Sequence, residues 1–262
     1  MNSAVAERVP VLMYHRVDAP RDDAERAYCV SPQDFGEHLA WLAEAGWTPC
    51  TLAAFGRWQR GEGTLPERSV LITFDDGFAG LHEHVLPRLA ARGWPATVFL
   101  VSARVGGRDD WATREGRSVG SQALLGGAQI AEMAAAGIEF QSHSRHHADL
   151  AALDDAALAD ELRGSRDELQ QLLGRTVDAV AYPYGRTDAR VQQAAREAGY
   201  RLGFSVDPGF NRPGGDALRL RRLDITGHDG RSRFARKVAL GSNDGSIAAQ
   251  ARYLWGRVAA RL

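Results

Sequence analysis

With 262 residues, 44% of them hydrophobic and 25% charged, the chain is long enough for one large α/β domain spanning 1–262. Its 32 basic and 33 acidic side chains leave a formal net charge of -1, which excludes the basic footprint of a nucleic-acid binder. No run approaches the apolar length of an integral membrane segment, and residues 1–10 carry no basic-then-apolar-then-small leader, so a cytoplasmic location is expected.

In chain order, Val9–Tyr14 reads as a short apolar strand running to His15. Ser31 is an N-cap, Pro32 the first helical position and Asp34 a first-turn acid, with Phe35, Leu39 and Leu42 at helical spacing before Gly46. Thr51 caps a second helix through Gln59, and 60–68 is a loop. The run Ser69-Val-Leu-Ile-Thr-Phe-Asp75-Asp76-Gly77 reads as a buried parallel strand ending in two carboxylates. A helix near Leu81–Ala91 and a strand Ala96–Val101 follow. Between 106 and 127 the sequence is glycine-rich and aperiodic, a surface loop in which Trp111 is either a packing plug or a platform for a flat ligand. Ile138 and Phe140 alternate as a strand leading to His143. A helical tail, 246–262, covers the domain or a partner subunit; the sequence is silent on oligomeric state. Cys29 and Cys50 lie apart without Cys-x-x-Cys pairing and read as buried free thiols.

The junctions Ala45-Gly46-Trp47, Arg92-Gly93-Trp94, Ala136-Gly137-Ile138 and Ala198-Gly199-Tyr200 each join a helix end to a strand start through glycine. Repeated αβ units of this kind imply a parallel sheet with crossover helices. A closed or nearly closed barrel is expected, with an open doubly wound sheet as the alternative.

Chemistry concentrates at two strand ends. Neighbouring carboxylates on a core strand repel and lose solvation, which a divalent cation relieves, one acid serving as ligand and the other as base. At the second strand end, His143, His146 and His147 fall within five residues. Two imidazoles and one carboxylate suit zinc-like ions and leave coordination positions open. His143 and His147 share a face if the chain coils after Ser142, but spacing does not choose between His146 and His147.

The pair Thr73-Phe-Asp75-Asp76-Gly77 and His143-Ser-Arg-His-His147 resembles, in order and separation, the first two motifs of the polysaccharide deacetylase family, carbohydrate esterase family 4. Similarity runs from Leu12-Met-Tyr-His15 to about Arg222, closest to the exopolysaccharide branch, with core homology over about 68–225. The flanking pieces 9–60 and 246–262 are expected to pack on that core. This resemblance implies a distorted (β/α) barrel of about seven parallel strands with outer helices. It implies Asp75 as base, Asp76, His143 and His147 as ligands, and one divalent metal ion, zinc first, with cobalt, nickel, iron or manganese as alternatives. The substrate implied is an N-acetylated carbohydrate, hydrolysed to acetate and a free amine.

The family's third motif, Arg-x-Pro-Tyr, is matched by Ala181-Tyr182-Pro183-Tyr184-Gly185, which implies the Tyr184 N–H as oxyanion donor but puts alanine where an arginine should orient the base. Arg222 is the candidate replacement. Tyr182, Pro183, Trp111 and His15 complete the set as candidate substrate-binding positions. The family's Leu-x-His general acid has no clean counterpart; His228 reads as a solvated loop residue, leaving the acid unassigned. Competing expectations keep the site but change the substrate to another amide or a cyclic ureide, or make the chain a non-catalytic sugar-binding relative.

Overall fold

The computed structural model describes residues 5–20, 22–23, 25–111 and 121–252. Among these, the strands are β1 (Val11–Tyr14), β2 (Arg16–Val17), β3 (Cys29–Val30), β4 (Thr48–Pro49), β5 (Ser69–Phe74), β6 (Ala96–Leu100), β7 (Ile138–Ser142), β8 (Ala179–Ala181), β9 (Leu202–Phe204) and β10 (Leu223–Asp224). The α-helices are α1 (Pro32–Glu44), α2 (Leu52–Gln59), α3 (Leu86–Ala90), α4 (Gly127–Ala135), α5 (Asp155–Leu173), α6 (Ala189–Glu197) and α7 (Arg231–Leu240).

A parallel sheet runs β10-β1-β5-β6-β7-β8-β9, with β4 beside the start of β5. From β1 to β9 the order follows the chain without reversal, so the open doubly wound alternative, which needs a switch point, does not apply. Leu220 bridges Phe204 of β9, and three residues later Leu223 pairs with Leu12 of β1. One short segment therefore touches both edges of the curled sheet, giving a distorted (β/α) barrel.

Strand alternation divides the core in two. Leu12, Tyr14, Val70, Ile72, Phe74, Val98, Leu100 and Phe140 pack outward under the helices. Val11, Leu71, Phe99, Ala179, Ala181, Phe204 and Leu220 pack together inside the barrel. Because side chains repeat every two residues, extending the interior register past the strand ends places His15, Asp75 and His143 over the barrel mouth. Register agrees: Tyr14 pairs with Phe74, so His15 and Asp75 are the next positions on adjacent strands.

Local signals behave as their chemistry requires. Ser31 accepts from the Asp34 N–H with Pro32 at N1, and Thr51 accepts from Ala54. The expected helix near Leu81–Ala91 differs: it opens as one π-helical turn, Leu81–Val85, before α3. A proline ring clashes with an α-helical carbonyl four residues back, and a wider turn ahead of Pro87 avoids that clash. Gly77 takes φ 78°, and a Cβ there would lie 2.5 Å from Leu100 Cδ2, so the turn after Asp76 needs glycine twice over. Cys29 and Cys50 are buried and free. Residues 112–120 of the expected surface loop and 253–262 of the expected tail helix lie outside the described residues. No helix of the described residues is long and apolar enough to cross a membrane.

Candidate active site

Four described non-glycine residues have left-handed backbone: Asp76 (φ 70°), Ser144 (63°), His147 (58°) and Tyr184 (59°). All four lie at the barrel mouth, on the turns after β5, β7 and β8. Such conformations persist where the surroundings over-determine them, and they cluster at functional sites. At Asp76 the effect is direct. Strand alternation alone would send its side chain away from Asp75, and the left-handed turn returns it to the mouth.

Ligand atoms of Asp76, His143 and His147 lie within 4.8 Å of one another, and all three residues are buried. Each histidine Nε2 is 3.4 Å from Asp76 Oδ1. A tetrahedral ion with bonds of about 2.1 Å separates its donors by roughly 3.4 Å, so this donor set fits a single zinc-like cation. Tautomer supports the fit. His143 Nδ1 lies 2.8 Å from the Ala181 carbonyl, which can only accept, so the Nε2 lone pair faces Asp76. Burial pushes the His143 imidazole down to about 4, against the opposing pull of Asp75, leaving it neutral and able to ligate at neutral pH. His147 Nδ1 is 3.1 Å from the Tyr184 hydroxyl, and Trp111 stacks on its ring at 4.6 Å. His146 stands apart, with Nδ1 2.7 Å from Glu161.

Asp75 is gripped by Arg222 through paired hydrogen bonds, Nη1 to Oδ1 at 2.6 Å and Nη2 to Oδ2 at 2.8 Å. Arg222 is fully buried, and its Nε donates to the Ser205 carbonyl at 2.9 Å. Burial, the largest single influence, works to raise the Asp75 carboxyl, but the Arg222 charge, His143, the Arg222 hydrogen bonds and His15 together outweigh it and hold the acid at about 2. Since His143 is neutral above about 4, Arg222 is the main cause at neutral pH.

The candidate substrate positions divide. Tyr182 is fully buried with its hydroxyl donating to the Leu218 carbonyl, so it packs the barrel and does not face a ligand. Pro183 is buried likewise. Trp111 is 5% exposed within a small cluster of Phe78, Val101 and Leu124, which makes it a packing plug against His147, not an open platform. His15 remains at the mouth, edge-on to the half-exposed Tyr28 at 5.5 Å, its Nδ1 buried without a hydrogen-bond partner among the described residues. Its positive charge would favour ionisation of both Asp75 and Asp224. His228 is exposed, 3.9 Å from Asp23. Asp224 and Glu161 are site neighbours that no motif in the sequence marks.

A family model for polysaccharide deacetylases matches residues 62–203. The chain belongs to the polysaccharide deacetylase family. Membership makes it a hydrolase of carbon–nitrogen bonds other than peptide bonds. The poly-beta-1,6-N-acetyl-D-glucosamine N-deacetylase of Staphylococcus epidermidis is 27% identical over 248 residues, covering 86% of this chain and 80% of that one. IcaB from Ammonifex degensii superposes with a TM-score of 0.74 at 26% identity, covering 90% of this chain and 97% of its own. The Bacillus cereus polysaccharide deacetylase BC0361 gives 0.72 at 26% identity, with 88% and 69% covered.

Proposed function

We propose that this polysaccharide deacetylase removes acetyl groups from N-acetylated hexosamine units of a polysaccharide, using a divalent ion, zinc first. The observation that carries the reading is the convergence of Asp76, His143 and His147 beside the Arg222-held Asp75. Family membership supports the reaction, and the substrates named for the relatives support the sugar. An ion held by those three side chains supplies Lewis acidity, lowering the pKa of water and polarising a carbonyl.

Asp75 is the base that takes the proton from the attacking water. Arg222 keeps both carboxylate oxygens in a fixed plane and ionised, and the Tyr184 N–H donates to the developing oxyanion. Collapse breaks the C–N bond, and the leaving nitrogen needs a proton. His15 is the donor we assign, because it directly follows β1 as Asp75 directly follows β5, and the residues before them, Tyr14 and Phe74, are paired. The products are acetate and a free amine.

The test is release from short N-acetylglucosamine oligomers. Acetate is expected, without ammonia; chelation abolishes it and zinc restores it, and Asp76→Ala neither binds zinc nor turns over. Ammonia as the product, or full turnover by the chelated enzyme, would contradict the reading. His15→Gln is expected to lower kcat by roughly 10²–10⁴ with metal content unchanged. Wild-type kcat in that variant would hand the acid role elsewhere.

A further inference from the structure

Both histidine donors sit on one turn, 143–147, and every amide in it can be accounted for. The His143 N–H donates to the Leu100 carbonyl. The Ser144 N–H goes to Ser142 Oγ and the His147 N–H to Ser144 Oγ. The two amides between them, those of Arg145 and His146, both donate to Glu161 Oε2 at 3.0 Å. Glu161 Oε1 takes up His146 Nδ1 at 2.7 Å. Its hydrogen bonds therefore go to the turn and to the histidine outside the donor set, and to none of the donor side chains.

Glu161 comes from α5 and is 7% exposed. A buried carboxylate is costly unless its oxygens are fully used, and here the turn uses them. The face is polar by design of spacing: Glu161, Ser165 and Glu168 recur at i, i+4 and i+7. Ser165 meets Ser142 Oγ at 2.6 Å, and Glu168 binds Arg145 Nε and Ser102 Oγ. Of these three helix residues only Glu161 accepts from the turn's backbone, between two left-handed residues, Ser144 and His147, while the Ser144 and Arg145 carbonyls take the Ser102 and Ala103 N–H groups. Without that acceptor two part-buried amides lose their partner, and the turn loses one of the holds on a conformation that non-glycine residues otherwise avoid.

We propose that Glu161 is a positioning residue of the metal centre, preorganising His143 and His147 through the backbone while keeping His146 engaged elsewhere. This rests on the metal reading above. The test measures zinc affinity of the full chain by chelator competition, alongside the melting temperature of the metal-free protein. Glu161→Ala is expected to weaken zinc binding ten- to a hundredfold, roughly the loss typical of outer-shell partners. Glu161→Gln, whose amide oxygen can still accept both N–H groups, should recover most of that loss. Glu168→Gln, on the same helix face, should bind zinc as the wild type does. A merely structural role would lower the metal-free melting temperature and leave zinc affinity of the folded protein unchanged, and that result overturns the proposal. Should Glu161→Ala not fold, Glu161→Asp, one methylene short of both amides, carries the same expectation. Failure of the wild type to bind zinc would instead remove the metal centre, and this role with it.

Discussion

Asp75→Asn is expected to retain the bound metal and to lower kcat by roughly 10²–10⁴, the loss typical of removing a positioned base. Asparagine has the shape of aspartate but cannot take a proton. It also turns an –NH2 group toward one arm of Arg222, where the wild-type carboxylate accepts from both. The variant therefore carries a stability loss as well, since a fully buried guanidinium loses its countercharge. Metal stoichiometry and kcat measured on the folded protein separate the two effects. Turnover at the wild-type rate would remove Asp75 from the base role.

Arg222→Met should cost the fold on the order of 3–5 kcal/mol, because it strands a buried carboxylate without a partner. The pH dependence gives this prediction a sign. In the wild type Asp75 is depressed from its ordinary value to about 2, so its contribution is present above about pH 4 and is lost as pH falls through about 2. That contribution is worth about 2–3 kcal/mol. In the methionine variant burial acts on Asp75 with its main opposing charge gone, so the carboxyl rises and protonation favours folding. The stability gap between variant and wild type, read from urea unfolding, should narrow between pH 7 and pH 4. The acid limb of the activity profile should move upward for the same reason. A gap that stays constant with pH would mean that Arg222 packs without holding the charge. In the double variant Arg222→Met/Asp75→Asn the losses should fall short of their sum, as expected for two groups in contact.

What the sequence makes legible here depends on how local the governing physics is. Strand ends, caps and glycine junctions follow from nearest neighbours, and the two motifs sit on such ends, so the barrel can be read directly, whereas spacing leaves His146 and His147 open as donors and the resemblance to the family's second motif chooses between them. Arg222 can be nominated because it stands where the family branch that this chain resembles carries an arginine when the third motif lacks one, but its contact with Asp75 spans 147 positions. The fates of Tyr182 and Trp111 depend on burial, which is a property of the whole fold; an aromatic near a motif looks the same whether it packs or faces solvent. Glu161 is least legible. On an amphipathic helix an isolated glutamate reads as solvent-facing, and only the folded turn reveals the amides it serves. The π-helical turn before α3 belongs to the same group, since Pro87 announces a disturbance without specifying its form.

The segment that bridges β9 to β1 also carries Arg222. One stretch of chain thus supplies both the closing pairs of the barrel and the countercharge of Asp75, so a substitution that loosens the closure also loosens the grip on that carboxylate.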